Sequence, residues 1–225
     1  MKDEVPSLKS LSLHQESKAR VTVTGTGKNR VLTTVTSLLE SNPLPDLVLS
    51  LGFSGALSDQ LNTGDLILPR KIILAETGAL VETSNEYYTL AEKIITEKAL
   101  PYVRRDSVTV SNLVRTRAEK EELAQRYNCQ AVNMEEYWVG FAAYQARVPF
   151  ISVRAILDMT HQELPSFLEE LILSEESIRG IRIIFGSLAR PSRLPKLMAL
   201  AKQSKTAQKS LGAFTSSFVA KVVIS

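Results

Sequence analysis

Apolar and polar positions along the chain switch repeatedly between a helical and an extended period. Val31, Val35, Leu38 and Leu39 share one face and predict a helix from about Asn29 to Glu40, which Asn42-Pro43-Leu44-Pro45 stops. Before it, the β-branched run Val21-Thr-Val-Thr24 predicts a short strand, and after it Asp46-Leu-Val-Leu-Ser-Leu51 predicts one buried on both faces. Strand, helix and strand within about thirty residues make a βαβ unit. Residues 65–69 and 71–75 read as a further extended pair. Tyr87, Leu90, Ala91, Ile94 and Ile95 form the apolar stripe of a helix over 86–99.

The alternation continues with a strand at 107–110 and a helix from Thr116 to about Tyr127, where Glu119 completes a capping box. A strand at 130–133, a helix over 135–146 and a buried strand at 149–154 follow, then helical segments over 165–188 and 194–214. The order predicts an α/β fold, three-layer α/β/α with a mixed, mostly parallel central sheet. The chain divides into a leader (1–20), a main domain (21–189) and a basic helical extension (190–225).

Composition narrows the chemistry. At 44% apolar and 23% charged, the chain has ordinary globular content. No apolar run reaches membrane-spanning length and residues 1–20 lack a signal-peptide core, so a cytoplasmic location is expected. Cys129 is the single cysteine, and His14 and His161 are the two histidines; no disulfide, zinc site or other metal is expected. His161 reads as a surface histidine. Net charge is +3, but all 24 acidic residues precede Ser177 and nine cations follow it. The acidic remainder and the absence of interleaved aromatics argue against a nucleic-acid partner. The basic helix admits two readings: docked on the domain with a solvated basic face, or in peripheral contact with an anionic membrane through its cations while Leu197, Leu200 and Leu211 face inward.

Ligands in open α/β sheets collect beyond the C-terminal ends of strands, which directs attention to four segments. Gly25-Thr-Gly27 is either a plain βα turn or an anion contact. Gly52-Phe-Ser-Gly55 is either a tight turn or a place where a flat ligand approaches the backbone. Glu135 is either a helix-start acid or a two-oxygen acceptor for a vicinal diol, with Glu136 read as solvated. Arg154 and Asp158 leave a buried strand, as a structural ion pair or as working groups.

These blocks carry a resemblance. Gly52-Phe-Ser-Gly-Ala-Leu57 with Asn62-Thr-Gly-Asp65-Leu-Ile, then Val132-Asn-Met-Glu135, then Val148-Pro-Phe-Ile-Ser-Val-Arg154-Ala-Ile-Leu-Asp158, resemble in order and spacing the nucleoside phosphorylases and methylthioadenosine/adenosylhomocysteine nucleosidases. The resemblance runs from about Val21 to Asp158 and implies cleavage of the N-glycosidic bond of an adenine-type purine nucleoside, with phosphate or water as nucleophile. It implies that Asp158 protonates N7 of the base, Glu135 holds the ribose hydroxyls, Met134 packs on the sugar and Arg154 lies near the nucleophile. Leu113 and Val114 fall where the family meets the base, and Phe53, Ser54 and Gly55 where it meets the substrate; the turn at Gly25 and Gly27 is the candidate phosphate contact. No cofactor is implied beyond phosphate as a co-substrate, and a homo-oligomer is expected by analogy. Phe53 stands where many members have a small hydroxyl residue, Asn133 where they have Glu and Leu157 where they have Ser. The family's first strand, which carries a water-activating glutamate or a phosphate-binding pair, is expected to be absent or replaced by residues 1–20. The alternative function is a catalytically impaired nucleoside-binding protein on the same fold. Arg190-Pro-Ser-Arg-Leu-Pro-Lys resembles the tail of the hopanoid-associated phosphorylase branch, which implies a lipid nucleoside as substrate.

Overall fold

In a computed structural model, residues 19–166, 168 and 194–224 are described. Helix α1 (Lys28–Leu39) buries Val31, Val35 and Leu39, the stripe its periodicity calls for. Strand β1 (Val48–Ala56) follows, then β2 (Leu66–Ile67), β3 (Lys71–Leu74) and β4 (Leu80–Glu82). Helix α2 (Asn85–Glu97) turns Tyr88, Ala91, Ile94 and Ile95 inward, leaving Tyr87 and Leu90 half-buried. Strands β5 (Tyr102–Val103) and β6 (Ser107–Thr109) lead to α3 (Arg117–Tyr127), and β7 (Ala131–Asn133) to α4 (Glu136–Gln145). The long strand β8 (Phe150–Asp158) and helix α5 (Leu194–Ile224) complete the described chain.

The eight strands form one sheet in the order β4-β3-β6-β7-β1-β8-β2-β5. Neighbours run parallel in β1/β8, β2/β5, β3/β6 and β6/β7, and antiparallel in β1/β7, β2/β8 and β3/β4. This is the mixed, mostly parallel α/β sheet that the element order predicts. Helices α1 and α4 cover one face, with Val31, Val35, Trp138, Ala142 and Phe150 in a shared cluster. Helices α2 and α5 cover the other, where Ile94, Ile95, Leu211, Phe214 and Phe218 meet Ile151, Val153 and Ala155 of β8.

Several elements differ from the sequence reading. Val21–Thr24 forms no strand. The extended segments at 65–69 and 71–75 do not pair with each other: β2 lies between β8 and β5, and β3 between β4 and β6. Gly52–Gly55 is not a turn after β1 but part of it. Arg154 likewise sits inside β8, which runs on to Asp158. Both strands outlast their apolar runs because each pairs with the other from Val48/Phe150 to Gly55/Asp158, so polar residues at their ends are held by ladder hydrogen bonds. The helix expected over 165–188 falls almost wholly outside the described residues.

Helix α5 is docked by its apolar face, with Ala207, Leu211, Phe214, Thr215 and Phe218 buried and Lys202, Lys205 and Lys209 exposed. Leu197 and Leu200 are only half-buried. Where α5 crosses the loop before β2, a Cβ on Gly64 would lie 2.9 Å from Thr206, and φ there is +96°, so glycine serves both the turn and the close approach. Gln162 and Gln203 exchange two amide hydrogen bonds, at 3.0 and 2.6 Å, and tie α5 to the loop following β8. Among the described residues, no helix is long and apolar enough to cross a membrane.

Candidate active site

The site residues fall into two groups at neighbouring positions of β1, β7 and β8. The first is polar and faces α4. Arg154 is buried opposite Gly52, and its Nη2 donates to Ser50 Oγ at 2.9 Å. Its Nε lies 3.7 Å from Oε1 of Glu136, an ion pair too long for a hydrogen bond. Glu136 is fully buried, contrary to its reading as a solvated acid. Its Oε2 accepts from Ser107 Oγ at 2.5 Å and from Asn133 Nδ2 at 2.6 Å. The physical reason is local: the helix that follows, Tyr137 to Ala143, is apolar on nearly every side and leaves no solvated face for the acid.

Asn133 organises this corner. Its Oδ1 accepts from the backbone amides of Glu135 at 3.1 Å and Glu136 at 2.9 Å, and Thr109 Oγ1 accepts from that of Tyr137 at 3.0 Å. The N-terminal amides of α4 are thereby satisfied by side chains of β7 and β6. A glutamate at position 133 would be a poor substitute, because the amide nitrogen of Asn133 is also the donor that holds Glu136.

Glu135 sits at the N-cap of α4, half-buried. Burial raises its carboxyl above the usual range, opposed by the Arg154 charge and by the backbone amides of Met134 and Gly27. The Met134 amide donates to Oε2 at 3.3 Å. The Gly27 amide, expected to meet phosphate, is among the groups that lower the Glu135 carboxyl. Gly25 lies against the Arg30 side chain instead.

The second group surrounds Asp158. A bulge between Ser54/Ile156 and Gly55/Asp158 turns Asp158 away from the Arg154 face, toward Gly55, Val132 and α3. Arg154 and Asp158 consequently do not form the ion pair considered from sequence. Asp158 is paired instead with Lys120 of α3, Nζ to Oδ2 at 2.6 Å. Burial raises the Asp158 carboxyl and Lys120 opposes that shift. Met134, Leu113 and Val114 come together in one apolar cluster with Leu57 and Val132, whose Cγ1 borders the same space beside Gly55 as the Asp158 carboxylate does.

Phe53 is placed elsewhere. Strand alternation turns it to the face opposite Arg154, against the cluster of Val153, Ala155 and Phe214. Ser54 is buried, with no hydrogen-bond partner for its hydroxyl among the described residues. His161 is exposed, as expected.

Lys120 was missed, although the sequence holds its signal. Lys120, Leu123, Ala124 and Tyr127 follow helical spacing, which puts a lysine in the apolar stripe of α3. Its flanking acids, Glu119, Glu121 and Glu122, disguise it as one charge among many.

5′-Methylthioadenosine/S-adenosylhomocysteine nucleosidase of Staphylococcus aureus (strain bovine RF122 / ET3-1) is 25% identical over 176 residues, covering 68% of this chain and 77% of the relative. The nucleosidase of the same name from Helicobacter pylori, solved with a pyrrolidine ligand, has a TM-score of 0.66 at 20% identity, covering 88% of this chain and 78% of that one. The enzyme from Neisseria meningitidis in complex with methylthio-immucillin-A gives 0.67 at 15% identity, over 89% and 79%. At these identities the structural likeness concerns the fold. The model of the family described as the phosphorylase superfamily matches residues 11–184, most of the chain, and the chain therefore belongs to the phosphorylase superfamily.

Proposed function

We propose that the chain cleaves the N-glycosidic bond of an adenine-type purine nucleoside, with water as acceptor. The observation that carries this reading is the separation of two carboxyls into different surroundings. Glu135 lies beside the Arg154 charge, while Asp158 lies beside an apolar cluster with Lys120 behind it. Breaking a glycosidic bond needs both a carboxylate near the developing positive sugar and an acid at the leaving base. Glu135 holds the ribose hydroxyls, Met134 packs on the sugar, Leu113 and Val114 flank the base, and Asp158 gives a proton to N7. The adenine preference is supported by the relatives, named for methylthioadenosine and adenosylhomocysteine.

Water is favoured over phosphate on electrostatic grounds. The charge of Arg154 already faces Glu136 at 3.7 Å and acts on Glu135. The Gly27 amide is directed at Glu135 as well. A phosphate dianion placed there would meet two carboxylates and one cation, whereas a neutral water meets no such repulsion.

The test is base release from methylthioadenosine and adenosine, with and without phosphate. Release without phosphate is expected, and Asp158→Asn should slow it by roughly 10²- to 10⁴-fold, the usual worth of a general acid. Release only when phosphate is supplied would replace water by phosphorolysis. Nucleoside binding with no release from the wild-type protein would leave the alternative of a binding protein on this fold.

A further inference from the structure

Lys120 is fully buried, and its Nζ donates to Asp158 Oδ2 at 2.6 Å, to Met159 O at 2.7 Å and to Gln162 O at 3.1 Å. An ammonium has three donors, and all three are used on the end of β8 and the loop after it. Two of the acceptors are neutral carbonyls, so the carboxylate of Asp158 is its only charged partner there. A leucine or methionine would fill the apolar stripe of α3 without the desolvation that a buried lysine incurs. Among the described residues, the other elements around Asp158 bring no titratable group: β1 presents Gly55 and β7 presents Val132. His161, on the following loop, is exposed, and α5 reaches that loop through the neutral Gln203.

We infer that Lys120 is a positioning residue that supplies the proton Asp158 delivers to the leaving base. This inference rests on the reading of Asp158 as the acid. As the C1′–N9 bond breaks, its electron pair goes to the base. One N–H bond of Lys120 breaks and its proton forms an O–H bond on Asp158. The carboxyl passes a proton to N7 and is left as carboxylate beside a neutral amine. The oxygen of water bonds to C1′ and sheds one proton to solvent, and Lys120 regains one from solvent, so no net proton is consumed. Lysine suits this role because its ammonium can lose a proton when buried, whereas a guanidinium does not. The two carbonyls keep the amine aimed at Oδ2 after the proton has left.

The experiment measures the pH profile of base release, between about pH 5 and about pH 9, for wild type, Lys120→Met, Lys120→Arg and Asp158→Asn. Lys120→Met should keep most activity at the acid end, where solvent can supply the proton to Asp158 in place of the lysine. Lys120→Met should fall at least about tenfold below wild type at the alkaline end, where solvent protons are scarce, with KM little changed. Lys120→Arg keeps charge and donors but cannot give up a proton, so it should follow Lys120→Met. A wild-type profile for Lys120→Arg would make Lys120 an electrostatic anchor and overturn the inference. An equal loss for Lys120→Met at every pH would make it a structural clamp, with the same consequence. Wild-type turnover by Asp158→Asn would instead sink the reading of Asp158, whatever the lysine variants do. A proton inventory in mixed H2O and D2O needs no variant: a bowed dependence is expected from more than one proton in flight, and a linear one counts against the relay.

Discussion

Gly52 of β1 lies directly opposite Arg154 of β8, and a Cβ built on Gly52 would stand 2.1 Å from the Arg154 Nη1 atom. The glycine is there because the guanidinium occupies the volume of its missing side chain. No turn geometry is involved, since Gly52 is a strand residue and its neighbours Leu51 and Phe53 pair with Val153 and Ala155 of β8. Gly52→Ala should therefore displace Arg154 from Ser50 and Glu136. Stability should fall by about 1–3 kcal/mol, the cost of a buried charged group losing hydrogen-bond partners. Base release should fall with it if Arg154 stands at the nucleophile. Urea unfolding and a kinetic assay of the same sample check both; an unchanged midpoint would show that the guanidinium has somewhere else to go.

The same arginine makes Glu136 structurally costly to change. Glu136→Gln keeps the shape and an oxygen for Ser107 and Asn133 but removes the charge facing Arg154. Breaking a buried ion pair from one side leaves the other charge uncompensated, and the expected destabilisation is about 3 kcal/mol. Pairing this change with Arg154→Met should cost less than the sum of the two single variants, since residues in one network are not additive. Strict additivity in chemical denaturation would mean that the 3.7 Å contact is not a coupled pair.

These two residues also mark the limits of reading the chain from sequence. The stripe of α1 and the capping box of α3 follow from local periodicity and side-chain chemistry, and the structure has them. Leu113, Val114 and Met134, which the family pattern assigns to the base and the sugar, lie in one apolar cluster. The ends of β1 and β8 were misplaced because glycine and arginine ordinarily end an apolar run. Here each is required by the other across the ladder, a relation between positions 102 residues apart. Glu136 and Lys120 were passed over for a related reason. A buried charge is favourable only through partners that lie elsewhere in the sequence: Arg154 and Ser107 for the first, Asp158 for the second. Val21–Thr24 shows the converse, since β-branched residues favour a strand only where a sheet edge is available to pair with.

The N-terminus of α3 offers a test away from the buried charges. Thr116 Oγ1 accepts from the Glu119 amide at 3.3 Å, while the Glu119 carboxylate accepts from the Thr116 amide at 2.8 Å and from the Arg115 amide at 2.9 Å. These bonds hold the Glu119 carboxyl below its ordinary range, outweighing burial. Thr116→Ala removes one half of the box and should cost about 1 kcal/mol. In a chain of this size that is a fall in Tm of about 2–4 °C, readable by calorimetry. No change would mean that water replaces the threonine hydroxyl at no cost.

Cys129 supplies a stability test set by pH. Its thiol is buried in the cluster of Val108, Val132 and Met134 and donates to Tyr127 O at 3.5 Å. Burial, reinforced by the charges of Asp106 and Glu136, pushes the thiol from 9.0 up to about 12. The unfolded chain therefore loses this proton at a lower pH than the folded one. Between those values the native state binds more protons, and stability falls as pH rises. The stabilisation from the protonated thiol is whole below about pH 9 and drains away toward about pH 12, at no more than about 1.4 kcal/mol per pH unit. Tyr88 and Tyr137 are raised by burial too, so the wild-type slope contains their share. Cys129→Ala isolates the thiol: its denaturation midpoint should start below that of wild type near neutrality and converge with it as the solution becomes alkaline. Curves that stay parallel through this range would show that the thiol ionises alike in both states and that its burial carries no pH-dependent stability.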